Sequence, residues 1–184
     1  MTDAPLEAAP AALRPALAPA DAVAAAWHAL AEVMDPEVPV VSIVELGIVR
    51  DIAWAADGLA VVLTPTYSGC PATELIETAV RAALCDAGLA VARIDYRLAP
   101  AWTTDWLAPE ARERLRAFGI APPGGAARVD VTGISPLRRA REAVPCPRCG
   151  SRATTLLSQF GSTACKAQYR CTACLEPFDY FKPH

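Results

Sequence analysis

Two Cys-x-x-Cys pairs, Cys146-Pro147-Arg148-Cys149 and Cys171-Thr172-Ala173-Cys174, stand 21 residues apart near the end of a 184-residue chain. Four thiolates in two knuckles at this spacing predict one tetrahedral metal centre, with each sulfur about 2.3 Å from the ion. Thr154 to Phe160 and Ala167 to Arg170 read as strands joined through Gly161-Ser162-Thr163, and Phe178-Asp179-Tyr180-Phe181 continues the β character. A module this small buries too little apolar surface to fold without such a cross-link. Zn²⁺ is the expected ion, although a rubredoxin-like iron site uses the same ligands. A thiol–disulfide pair would not explain two knuckles. Cys165 is left over, as a packed residue, a support for the metal site or an alternative ligand.

Seven cysteines, four of them in these knuckles, point to metal binding in a reducing compartment rather than a disulfide scaffold, and the expected location is the cytoplasm. No apolar run is long enough to span a bilayer, and no signal peptide is evident. Charge divides unevenly. The first 137 residues carry 9 basic and 17 acidic side chains, whereas the last 47 carry 8 and 3. An acidic body with a basic end predicts two modules.

The second constraint is Leu63-Thr64-Pro65-Thr66-Tyr67-Ser68-Gly69-Cys70-Pro71-Ala72-Thr73-Glu74. It reads as a strand end, a polar turn, and a cysteine at the mouth of a helix. Asp57-Gly58 signals a turn before the strand Leu59 to Leu63. Pro71 suits a first helical position. Leu75, Ile76, Ala79, Val80, Ala83 and Leu84 then recur at helical spacing, Glu77 stands four before Arg81, and Gly88 is the expected stop. Cys70 is thus expected at the N-cap or just before it, where the helix dipole favours thiolate. The competing reading is a small buried cysteine filling a turn. The hydroxyls of Thr64, Thr66, Tyr67, Ser68 and Thr73 favour a polar pocket instead.

Elsewhere, Met1 to Ala20 reads as a loose Ala/Pro-rich tail. Asp21 is the expected N-cap of a first helix with Val23, Trp27, Leu30 and Met34 on one face, ending near Asp35; His28 within it has no companion ligand. Asp35-Pro36-Glu37-Val38-Pro39-Val40 predicts a rigid extended turn. Its two carboxylates form a candidate site, or they cap and solvate the turn. Ser42 is expected to cap a short turn ending at Gly47, before a hairpin of Ile48 to Trp54 with Leu59 to Leu63. Leu89 to Leu98 alternates as a third strand, with Val91, Arg93, Asp95 and Arg97 on one face and Ala92, Ile94, Tyr96 and Leu98 on the other. An aromatic-rich irregular segment covers Pro100 to Leu107. A helix with a mostly solvated charged face covers Pro109 to Phe118, with Gly119 as its stop. A short strand is expected at Arg128 to Ile134 and an Arg-rich linker at Pro136 to Ala143. The domain boundaries expected are a tail at 1–20, an α/β domain at 21–122, a linker at 123–143 and a zinc ribbon at 144–184.

The set Asp35-Pro36-Glu37-Val38-Pro39, Leu46-Gly47-Ile48-Val49, hairpin and Cys70-Pro71 resembles the small α/β domain of SufT and the cytosolic iron–sulfur assembly proteins. Over Asp21 to Leu98, that resemblance implies an α+β domain of helix, β-hairpin, helix, strand and helix. It places a functional cysteine at Cys70 with the Asp35/Glu37 turn beside it, and with Thr64 in the same candidate site. Trp102-Thr103-Thr104-Asp105-Trp106, Gly119-Ile120-Ala121-Pro122-Pro123 and Gly161-Ser162-Thr163-Ala164-Cys165-Lys166-Ala167 are further similar to the PaaD family, subunits of the multicomponent phenylacetyl-CoA epoxidase. This implies bacterial aerobic phenylacetate catabolism, with the other epoxidase subunits as partners. It also implies a role in maturing or maintaining a metal centre, with iron or an iron–sulfur cluster held transiently at Cys70.

The residues argue against the chain being the catalyst. A carboxylate-bridged di-iron oxygenase needs paired Glu-x-x-His motifs, and neither His28 nor His184 has Glu three residues earlier. No dinucleotide or nucleotide-phosphate motif is present. An accessory subunit for an oxygenase's metal centre, a general iron–sulfur carrier and a nucleic-acid-binding zinc ribbon are the three readings. The acidic body counts against the last, so neither nucleic acid nor membrane is an expected partner.

Overall fold

A computed structural model describes residues 17–124 and 143–183. Its elements are α1 (Pro19–Ala31), β1 (Val49–Ala55), β2 (Gly58–Leu63), α2 (Thr73–Asp86), β3 (Val91–Tyr96), α3 (Pro109–Phe118), β4 (Ile120–Ala121), β5 (Thr154–Ser158), β6 (Lys166–Cys171) and β7 (Pro177–Phe181). This is the helix, hairpin, helix, strand, helix order, followed by a β-ribbon. The strand expected at Arg128 to Ile134, the linker up to residue 142 and residues 1–16 of the tail lie outside the described residues.

Helix α1 begins inside the stretch read as tail. Pro19 takes the first helical position, where a missing N–H costs nothing, and Asp21 lies in the first turn rather than at the cap. The buried stripe is Ala22, Ala26 and Leu30, flanked by half-buried Val23 and Trp27. The helix stops at Ala31, so Met34 falls outside it and is exposed.

Strands β1 and β2 form the antiparallel hairpin, and β2 is the central strand of a three-stranded sheet ordered β1-β2-β3. Buried Leu59, Ala60, Val61 and Leu63 make it the spine of the domain. Helix α2 is the crossover that a parallel β2/β3 pair requires. It buries Ile76, Val80 and Leu84 and leaves Leu75 exposed. The simple alternation expected for β3 fails. Leu59 pairs with Val91 but Ala60 pairs with Arg93, so Ala92 is an extra residue in the ladder. That bulge inverts the facing of the residues after it, and Val91 and Ile94, three residues apart, both pack against the core.

The turn after Asp35 is closed reciprocally. Ser42 Oγ accepts from Glu45 N at 3.1 Å, and Glu45 Oε2 accepts from Ser42 N at 2.9 Å. Gly47 follows with φ +69°, and a Cβ there would stand 2.8 Å from Trp106 Cβ and 2.9 Å from Trp106 O. Both conformation and space therefore demand glycine. Across this turn, buried Trp102 donates from Nε1 to Leu46 O at 2.8 Å. The aromatic segment is not wholly irregular: it contains a short 3₁₀ turn at Thr104–Trp106, and Trp102 is internal. In α3, Arg112 departs from the solvated face, donating to Thr104 O and Pro123 O at 2.8 Å each.

The ribbon sheet is ordered β4-β7-β6-β5, and its outer strand β4 directly follows α3. The ribbon's own buried set is Ala121, Val144, Cys146, Cys171 and Phe178. Cys165 and Phe181 instead belong to the main core, where the Phe181 ring lies 6.1 Å from that of Trp102. A shared strand and a shared core thus tie the two modules together.

Candidate metal centres

The knuckles meet as their spacing predicts. In the first, Gly150 N donates to Cys146 O and Cys146 N to Ser151 O, both at 2.9 Å. In the second, Cys171 ends β6 and its N donates to Glu176 O at 2.9 Å. The four ligand sulfurs of Cys146, Cys149, Cys171 and Cys174 lie within 4.8 Å of one another. Cys146 and Cys174 are 3.7 Å apart, and Cys149 and Cys171 are 3.6 Å apart. Sulfurs at tetrahedral angles about 2.3 Å from an ion would be separated by about 3.8 Å. The donor set therefore fits a tetrahedral metal. The Cys174 N–H is the main influence drawing the Cys171 thiol down, while burial and the neighbouring sulfurs push the Cys174 thiol up, against the pull of the Glu176 N–H. Cys165 is not among these ligands.

A second group of cysteines and carboxylates forms where three distant segments meet. The Asp35–Val40 turn is held by Asp35 Oδ1, which accepts from Glu37 N at 2.9 Å and Val38 N at 2.8 Å. Asp35 is buried and occupied with its own turn, and the next carboxylate, Glu37, is half-buried and turned towards the ribbon. From the ribbon, buried Cys165 directs its Sγ to Glu37 Oε2 at 3.5 Å and lies 3.0 Å from Thr163 Oγ1. Neighbouring Lys166 is also buried, with Nζ 3.4 Å from Asp179 Oδ2 and 3.5 Å from Glu37 O. The third segment brings half-buried Cys70 and, three residues before it, Tyr67. Burial most of all, then Cys70 and the charges of Glu37 and Cys165, oppose the ionisation of Tyr67.

Two details of Cys70 differ from expectation. Helix α2 starts at Thr73 with Ala72 as its cap, so Cys70 stands ahead of the helix, accepting from Thr73 N at 3.2 Å and Thr73 Oγ1 at 2.7 Å through its carbonyl. Its thiol is pushed up, not down. Burial is the main cause, the Ala72 N–H opposes it, and the negative charge of Glu37 adds to it. Cys165 is pushed up to about 11 by burial, and its bond to the Glu37 carboxylate holds the proton in place. Thr64 is buried beneath the same loop. Its Oγ1 has no hydrogen-bond partner among the described residues, and it lines a cavity of about 460 Å³ bounded by Tyr67, Ser68, Leu98 and Trp102. Cys70, Glu37, Asp35 and Thr64 all stand out in the sequence. The place of Cys165 does not, although the Gly161–Ala167 motif around it is visible there.

Fold and cysteine sets together define a class: an iron–sulfur-assembly-type α/β domain joined to a four-cysteine β-ribbon. Residues 23–95 match the family described as iron-sulfur cluster assembly protein, and residues 132–182 match the PaaD zinc beta ribbon domain. The chain is 50% identical over 156 residues to the D subunit of the putative 1,2-phenylacetyl-CoA epoxidase of Escherichia coli strain K12, covering 85% of this chain and 90% of that protein. It belongs to the PaaD family. Over 88 residues it is also 34% identical to an Fe-S protein maturation auxiliary factor of Porphyromonas gingivalis, covering 47% of this chain and 83% of that one. A solved domain of unknown function from Bacillus anthracis is 24% identical and covers 52% of this chain and 92% of its own, at a TM-score of 0.47. Among the described residues no helix is long and apolar enough to cross a membrane.

Proposed function

We propose that this chain is an accessory, non-catalytic subunit of a bacterial phenylacetyl-CoA epoxidase complex that matures or maintains the metal centre of a partner oxygenase or reductase. The observation carrying this reading is its 50% identity, over most of both chains, to the E. coli protein bearing that subunit name. The ribbon holds Zn²⁺, in keeping with four thiolates at tetrahedral spacing and with the description of the matching family. Its role is structural, because all four positions are filled by protein and none is left for a reactant. The working site is Cys70 with Glu37. Asp35 fixes the turn that presents Glu37, and Thr64 supports the loop that carries Cys70. Iron, as ion or cluster, is the cargo: a soft thiolate and a hard carboxylate together suit iron that must be held and then released.

Cys70→Ser and Glu37→Gln are expected to leave fold and ribbon zinc intact, to slow growth on phenylacetate and to lower the iron content of the partner purified from the same cells. Normal growth with fully loaded partner iron in both variants would leave the chain a scaffold only. The Porphyromonas gingivalis similarity supports a second reading, a general iron–sulfur carrier. In that case the same variants would lower iron in unrelated iron–sulfur proteins of those cells as well.

A further inference from the structure

Strands β2 and β3 run parallel, and beyond their carboxyl ends the chain opens into two loops. Thr64 N donates to Ile48 O at 2.8 Å and Arg97 N to Leu63 O at 2.9 Å, so the sheet fixes the start of each loop. Residues 64–68 on one side and Leu98, Ala101 and Trp102 on the other bound the cavity of about 460 Å³. That volume suits a small organic molecule, and the crevice outside the carboxyl ends of parallel strands is where open α/β sheets hold ligands. Cys70, Glu37 and Cys165 do not line it.

The lining combines hydroxyls with apolar surface and carries no charged side chain. Two other cavities of similar size, about 510 and 450 Å³, are edged by charges: Arg116 and Arg148 in one, Lys166 and Asp179 in the other. Thr64 is only 1% exposed, and its Oγ1 has no hydrogen-bond partner among the described residues. A buried hydroxyl left unpaired is costly, so this one calls for a polar atom in the cavity. Trp102 Nε1 already donates to Leu46 O, and an indole has no second polar hydrogen, so its ring adds apolar wall. Leu98 stands at the rim, 61% exposed. With no Lys or Arg in the lining, an anion would lose its water without gaining a partner.

We propose that this cavity binds an uncharged aromatic acyl compound, an amide, ester or thioester. Its carbonyl oxygen accepts from Thr64 Oγ1, and its ring lies against Trp102 and covers Leu98. The carbonyl satisfies the orphaned hydroxyl, and the flat ring matches the aromatic wall. The proposal does not rest on the working role of Cys70; it adds a small-molecule site to the loop that leads from β2 to that thiol.

The test uses the full zinc-loaded chain with benzamide as the probe, followed by NMR of the threonine and leucine methyl groups. Benzamide should bind saturably and shift the methyl signals of Thr64 and Leu98. Benzoate, the same ring with a charge, should bind at least about tenfold more weakly. Thr64→Val keeps the shape, removes the hydroxyl and should weaken benzamide roughly fivefold. Ala101→Phe fills the cavity from an exposed position and should abolish binding, with circular dichroism and zinc content unchanged. Cys70→Ser should bind as the wild type does, so failure of the iron-handling reading would leave this site standing. The neutral benzoyl thioester of N-acetylcysteamine, run beside benzamide, tells a site for free amides from one that also takes thioesters. No saturable shift with either compound would mean that the cavity holds only water, and would overturn the site. Benzoate bound as tightly as benzamide, or undiminished binding in either cavity variant, would overturn it as well.

Discussion

The two cysteine groups in this molecule are built in opposite ways. The tetrad comes from two short knuckles joined by one hairpin, with sulfurs 3.6–3.7 Å apart across the pairs and every coordination position filled. The Cys70–Glu37–Cys165 group comes from three segments up to 128 positions apart, and it keeps its thiols protonated by burial and by the neighbouring carboxylate. The first is a local motif that serves stability; the second exists only after both modules have folded and docked. The contrast shows how a small cross-linked ribbon can act as a structural arm, its metal holding the hairpin that positions a thiol elsewhere.

The largest effect that tests this contrast is loss of a tetrad ligand. Structural zinc in such modules is worth roughly 10–16 kcal/mol, far more than a core of five buried residues supplies. Cys149→Ser should therefore abolish zinc binding and unfold the ribbon, read by elemental analysis and near-ultraviolet circular dichroism. Because Phe181 rests on Trp102, tryptophan fluorescence should shift as well. Zinc retained in that variant would break the assignment. Chemical reactivity separates the groups next. In zinc-loaded protein at pH 8, exposed Cys85 should be alkylated first, half-buried Cys70 later and Cys165 last. With a Cys165 pKa of about 11, only about one Cys165 thiol in a thousand is ionised at that pH. Both of the slower reactions should accelerate as pH rises, and peptide mapping of iodoacetamide adducts gives the order. Fast labelling of Cys165 would mean that the ribbon does not sit on the first domain as described.

Trp102→Ala removes the hinge of the docking and should cost roughly 3–5 kcal/mol in denaturant unfolding. Tetrad zinc should survive while Cys165, no longer held against Glu37, is alkylated faster, which would separate the two groups directly. Asp35→Ala should cost about 1–2 kcal/mol, because two N–H groups lose their acceptor. Asp35→Asn keeps that acceptor and should cost less. Burial raises the Asp35 pKa in the folded chain, so its contribution is fully present below the unfolded value and is lost as pH rises through the folded one. The stability of Asp35→Asn relative to wild type should therefore improve from acid to neutral pH; the opposite trend would make Asp35 a charge that the fold requires. The smallest effect lies within the tetrad. Gly150 follows the first knuckle with φ +74°, whereas Leu175 follows the second with φ +66° and an exposed side chain. Leu175→Gly should relieve that strain and stabilise the chain by up to about 1 kcal/mol, seen in the thermal midpoint with zinc held in excess.

Features that depend on near neighbours are legible in the chain alone. Cys-x-x-Cys sets two sulfurs on one tight turn, the spacing of Ile76, Val80 and Leu84 sets the inner face of α2, and Asp57-Gly58 sets the hairpin. Each is fixed within a few residues, where turn geometry and helical period leave little choice. Features that depend on distant neighbours emerge only on folding. The Ala92 bulge put Val91 on the core side with Ile94, although simple alternation sets them on opposite faces. Burial and Glu37 raised the Cys70 thiol, against the simple dipole argument, because desolvation and a nearby negative charge outweigh a helix that starts only at Thr73. Cys165, unassigned among seven cysteines, acquired a partner only when β4 joined β7 and Phe181 met Trp102. Spacing along a chain measures local geometry, but which thiol meets which carboxylate across a module boundary is set by how two hydrophobic faces pack, and that has no period to be read.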